Sequence, residues 1–100
     1  MSDLDVANIS YRELLFDKRW LEKRATIIKR DNYCCRICGN TDKLVVHHKQ
    51  YHIDEKTNQT SLPWDYDDKY LVTLCESCHR RGHAKYTVPR KFINKQNKMY

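Results

Sequence analysis

YLVTLCESCHRRGH, residues 70 to 83, runs a β-like segment into a pair of cysteines and then into two histidines four positions apart. Tyr70 to Leu74 is short, apolar and β-branched enough to form a strand. Cys75 and Cys78 have the two-residue spacing of a metal-binding knuckle. A helix follows, which Pro89 ends. On that helix His79 and His83 project from one face and can hold one ion together.

Working outward, a second hook, Cys35-x-x-Cys38, sits in DNYCCRICGN (31–40), where Gly39-Asn40 suits a tight reversal. Four thiolates in two hooks are the set a tetrahedral structural zinc requires. The hooks are 36 residues apart, longer than the spacer of a compact zinc ribbon, so the insert carries structure or function of its own. Cys34 competes with Cys35, but only Cys35 has the right spacing to Cys38. One cysteine of the five is therefore spare.

The insert opens with the strand-like Leu44-Val45-Val46 and then VVHHKQYH (45–52), which holds three of the chain's five histidines. His47 and His48 are adjacent at a strand end, so their side chains point in different directions. One can bind metal while the other faces a substrate. His52 is a lone histidine by comparison, close enough in sequence to compete with His83 as a ligand. From Lys49 to Asp68 the composition is polar and reads as a long loop.

Upstream, Tyr11, Leu14, Leu15, Leu21, Ala25 and Ile28 recur at helical spacing, which predicts one helix of about five turns from Ser10 to Asp31. Ser10 and Glu13 have the form of a capping box at its start. Trp20 and Ile27 flank the stripe as core residues.

A chain of 100 residues makes one domain with a modest core, which a metal staple would reinforce. Nineteen basic against thirteen acidic residues give +6, and Arg80 to Tyr100 holds seven basic residues and no acidic one. An anionic partner and a merely solvated basic tail both account for that balance. No apolar run could span a bilayer, and MSDLDVANIS lacks the features of a secretory signal, so a cytoplasmic protein with no membrane partner is expected. In that reducing compartment the cysteines point to metal rather than disulfides.

Taken in order, CRICG (35–39), LVVHH (44–48), PWDY (63–66) and YLVTLCESCHRRGH (70–83) resemble the HNH endonuclease family, in the type braced by a four-cysteine zinc. The resemblance covers about Tyr11 to Lys85, leaving 86–100 as a basic C-terminal segment. It implies an α+β fold: a small ββα-metal motif with a long N-terminal helix, stapled by structural Zn²⁺ on Cys35, Cys38, Cys75 and Cys78. It implies a metal-dependent DNA endonuclease that leaves 5′-phosphate and 3′-hydroxyl ends, of a kind often encoded by phage or mobile elements. His48 then matches the general base. His47, His79 and His83 match the ligands of one catalytic divalent ion, which could be Mg²⁺, Mn²⁺, Ni²⁺ or Zn²⁺. Arg80, Arg81, Lys85, Arg90 and Lys91 are expected on DNA phosphates. The chain departs from the family at its middle Asn, where Tyr70 stands, with Asp67 or Asp68 as substitutes. The competing reading is a catalytically inactive, zinc-stapled nucleic-acid-binding module. That reading explains the charge and the cysteines but leaves the histidines unused.

Overall fold

The computed structural model describes residues 10–94. Its N-terminal helical region is divided, where one long helix was expected. Helix α1 spans Tyr11–Leu14 and is capped by Ser10, whose Oγ accepts from the Glu13 amide at 3.3 Å. Tight bonds from Leu15 N to Arg12 O (3.2 Å) and Phe16 N to Glu13 O (3.1 Å) then close the turn. Asp17 restarts the chain as the cap of helix α2, Lys18–Arg30, its carboxylate accepting from the Arg19 amide at 2.8 Å. An aspartate side chain that satisfies a free amide in this way favours a new helix start over an unbroken helix. The break also changes the phase. Trp20 and Ile27 are the buried residues of α2, whereas Leu21 and Ala25 of the expected stripe face solvent.

Strand β1, Leu44–His48, pairs antiparallel with β3, Leu71–Cys75, in a register that sets Leu44 opposite Cys75 and His48 opposite Leu71. Helix α3, Glu76–Lys85, continues directly from β3 with Cys75 as its cap and packs against both strands. Part of the expected loop after Lys49 is in fact strand β2, Tyr51–Asp54. It pairs in parallel with β4, Arg90–Ile93, so the start of the basic C-terminal segment is built into a second sheet. Residues 95–100 of that segment lie outside the described residues. The described residues thus form a small α+β arrangement with two two-stranded sheets. No helix among the described residues is long and apolar enough to cross a membrane.

One side of the β1–β3 pair buries Trp20, Ile27, Tyr66 and Leu71, with Val46 and Trp64 packed against them. Leu74 and three of the cysteines, Cys35, Cys75 and Cys78, form a second buried cluster. A polar latch joins α2 to β3. The buried Asp31 carboxylate accepts from the Thr73 amide at 2.9 Å and is gripped by both arms of Arg30. The same guanidinium donates to the carbonyls of Leu71 (2.8 Å) and Asp68 (2.7 Å). The latch therefore satisfies an edge of β3 that no strand pairs.

Candidate metal centres and the caged histidine

The first hook is a tight reversal. The Cys35 amide donates to Asn40 O at 2.8 Å, the Gly39 amide returns to Cys35 O at 2.9 Å, and Gly39 takes φ +80°, which a residue without a Cβ adopts freely. The second hook is the junction of β3 with α3. The Sγ atoms of Cys35, Cys38, Cys75 and Cys78 all lie within 4.8 Å of one another, and Cys38 Sγ is 3.6 Å from Cys75 Sγ. Two thiolates bound at 2.3 Å to a tetrahedral ion are separated by about 3.8 Å, so the spacing fits zinc.

Backbone amides support this set. Cys35 Sγ accepts from the amides of Ile37 (3.4 Å) and Cys38 (3.5 Å), and Cys75 Sγ accepts from that of Cys78 (3.5 Å). Burial raises the Cys35 pKa, but these donors outweigh it and hold the thiol at about 6. Burial pushes Cys78 the other way, to about 11, against the Arg81 guanidinium that donates to its sulfur at 3.2 Å. Arg81, expected on phosphate, is therefore engaged at the cysteine cluster. Cys34 stands apart with its thiol on Asp31 O at 3.3 Å.

The second constellation follows from strand alternation. His47 turns toward α3, where His79 and His83 lie one turn apart, and the three offer one ring nitrogen each within 4.8 Å. Ring centroids are 5.2 Å apart for His47 and His79, 5.4 Å for His47 and His83, and 4.4 Å for His79 and His83. The Nε2 atoms of His79 and His83 are 3.0 Å apart, near the roughly 3.3 Å edge of a tetrahedron of imidazole nitrogens around zinc. Burial, followed by the charges of His79, His83 and His48, lowers the His47 pKa to about 4. Burial and then His83 lower that of His79. At neutral pH these two rings are uncharged, the form in which an imidazole binds a metal. His52 is absent from this group. Its Nε2 lies 2.8 Å from Gln50 Oε1, and its ring packs on Tyr66 and Tyr70.

His48 points to the opposite side of β1, into an aromatic cage. Its ring stacks on Trp20 at 5.1 Å and on Tyr51 at 5.5 Å, meets the edge of Tyr66 at 4.9 Å, and leaves the residue 5% exposed. Its Nε2 is 2.9 Å from Pro63 O. A carbonyl only accepts, so Nε2 carries the hydrogen and Nδ1 keeps a lone pair. Burial lowers the His48 pKa, the Pro63 carbonyl opposes this, and His52 adds to the lowering. Sequence reasoning missed the cage, because Trp20, Tyr51 and Tyr66 come from three separate segments with no shared spacing.

Arg80, Lys85, Arg90 and Lys91 are exposed, the first two on α3 and the others on β4. Neither Asp67 nor Asp68, the expected substitutes for the middle Asn, belongs to the three-histidine group. Asp67 caps a 3₁₀ turn over Asp68–Tyr70, and Asp68 pairs with Lys23. Tyr70 packs on His52. His47, His79 and His83 line a cleft of about 490 Å³, and His83 also borders a second one. Searches against known protein families, curated proteins and solved structures return no match.

Proposed function

We propose that the protein is a metal-dependent DNA endonuclease of the HNH type. It hydrolyses phosphodiester bonds to 5′-phosphate and 3′-hydroxyl ends. The observation that carries this reading is the convergence of His47, His79 and His83 at a point separate from the four-cysteine cluster. A zinc staple needs no second ligand set. Hydrolysis of a phosphodiester has a use for one, because the transition state gathers negative charge on phosphorus oxygens. His47, His79 and His83 are the residues that would hold a divalent ion, which would supply that counter-charge and polarise the phosphate.

The remaining steps belong to the chain's own groups. For the proton of the attacking water the family resemblance offers His48, whose Nδ1 lone pair is left available by the bond of Nε2 to the Pro63 carbonyl. The new bond joins the water oxygen to phosphorus, and the bond to the 3′ oxygen breaks as a solvent water protonates it. The stack of Trp20 and Tyr51 keeps the imidazole in one orientation. Arg80, Lys85, Arg90 and Lys91 attract backbone phosphates without reading sequence.

One observation favours the second reading, an inactive zinc-stapled nucleic-acid-binding module: His48 is buried among apolar rings, as a core histidine would be. Supercoiled plasmid incubated with the protein and Mg²⁺, Mn²⁺, Ni²⁺ or Zn²⁺, with chelator as control, separates the two. Nicked or linear product that disappears with chelator supports the nuclease. A retarded band with no cleavage under any ion sinks it in favour of the binding module.

A further inference from the structure

We propose that the cleft shared by His83, Tyr11, Tyr51, Tyr86 and Arg90 seats an unpaired nucleobase next to the scissile phosphate. Single-stranded or locally opened DNA is then the preferred substrate. The proposal rests on the nuclease reading for the chemistry at the phosphate, and goes beyond it in naming the form of DNA bound.

The cleft measures about 490 Å³, inside the range of sites for small organic groups. Its aromatic walls come from three places in the chain: Tyr11 on α1, Tyr51 at the head of β2, and Tyr86 just after α3. Tyr11 and Tyr51 meet edge to face with ring centroids 6.0 Å apart. The Tyr11 hydroxyl is buried and has no hydrogen-bond partner among the described residues. Tyr86 is 73% exposed, an apolar ring face held out at the rim. The parallel pairing of β2 with β4 sets Arg90 directly opposite Tyr51, with the Tyr51 amide donating to Pro89 O at 2.9 Å. Arg90 is thereby placed on the strand beside Tyr51 and lines the same cleft as the tyrosines, a combination of cation and rings that can take a phosphate and its base. Because His83 borders both clefts, a strand whose phosphate lies at the three histidines has its neighbouring base within reach of Tyr51 and Tyr86.

Charge complementarity selects nucleic acid over an apolar peptide, given +6 overall and no acidic residue from Arg80 onward. The energetics select the unpaired form. Extracting a base from a duplex costs at least as much as one aromatic stack returns, so this cleft alone does not open paired DNA.

The test uses the full-length, zinc-loaded protein without added divalent ion, so that binding is read without cleavage. Fluorescence anisotropy compares a labelled oligothymidine with a duplex of equal length. Wild type should bind the single strand more tightly. Tyr86→Ala should weaken single-strand binding by about 5-fold to 100-fold and duplex binding by less than about twofold, and Tyr86→Phe should restore it. Photocrosslinking with 5-iododeoxyuridine in the strand should place adducts on Tyr51 or Tyr86. Equal weakening of both DNAs, unchanged binding, or adducts only at other residues overturns the proposal. Failure of plasmid cleavage with every ion, alongside a selective Tyr86 effect, would count against the nuclease reading alone.

Discussion

The Nε2 atoms of His79 and His83 stand 3.0 Å apart across one turn of α3, and His47 closes the group from the facing strand. Two ring nitrogens that close, without a metal, share a single hydrogen; with one, both lone pairs face the ion. Removing either ring should therefore weaken binding of a second ion, beyond the structural zinc, by at least about tenfold, since even outer partners of ligands are worth that much. Calorimetric titration of Ni²⁺ or Zn²⁺ into His79→Ala, His83→Ala and His52→Ala checks this. Weakening in the His52 variant alone would show that the ligand set is wrong.

His47 makes the fold sensitive to acid when its three-histidine group holds no ion. Its folded pKa of about 4 lies below the 6.5 of a free imidazole, so the unfolded chain binds more protons between those values. Stability from this group is present above pH 6.5 and is lost as pH falls toward 4. Thermal midpoints measured from pH 7 to pH 4.5 should therefore drop more for wild type than for His47→Gln. Parallel curves would show that His47 does not titrate in this way.

At the cysteine cluster, Cys75 is both a sulfur of the four and the cap of α3. Cys75→Ser should lose zinc and with it the folded state, because a small core gains much of its stability from the metal. Cys34→Ser should keep one zinc per chain, since its thiol bonds Asp31 O and is not one of the four grouped sulfurs. Elemental analysis with thermal denaturation reads both, and a zinc-free wild type would exclude the structural site.

Asp31 should matter to stability as much as any apolar core residue. Replacing it by Ala leaves the buried Thr73 amide without its acceptor and Arg30 with only the Leu71 and Asp68 carbonyls. Orphaning such a donor costs about 2 kcal/mol, on the order of a 10 °C fall in thermal midpoint for a chain of this length. A fall under about 3 °C would mean that water replaces the carboxylate there.

His48→Ala removes the Nδ1 acceptor but none of the three clustered histidines. Cleavage should fall by roughly 10²-fold to 10⁴-fold while DNA binding and affinity for the second ion stay close to wild type. Because the ring fills an aromatic cage, circular dichroism should accompany the assay, run well below the variant's thermal midpoint. A folded variant that cleaves at the wild-type rate would remove His48 from the mechanism.

The spacing of the two hooks sufficed for the cysteine cluster, since four thiols at two-residue intervals have few other uses in one small domain. The strands at Leu44 and Leu71 and the helix after Cys75 were equally legible, because each is a local pattern of apolar residues, a cap and a later proline. The helical stripe from Tyr11 onward misled, because periodicity does not register that the Asp17 side chain can end one helix and cap the next. What only the tertiary structure decided depends on distant segments meeting. Strand β4 exists because β2 offers it an edge. His83 rather than His52 joins His47 because α3 packs across β1, while His52 faces Tyr66 and Tyr70. The cage around His48 closes only when Trp20, Tyr51, Pro63 and Tyr66 are brought together from 47 residues of chain, 20 to 66. Such contacts arise from global packing, and no local spacing encodes them.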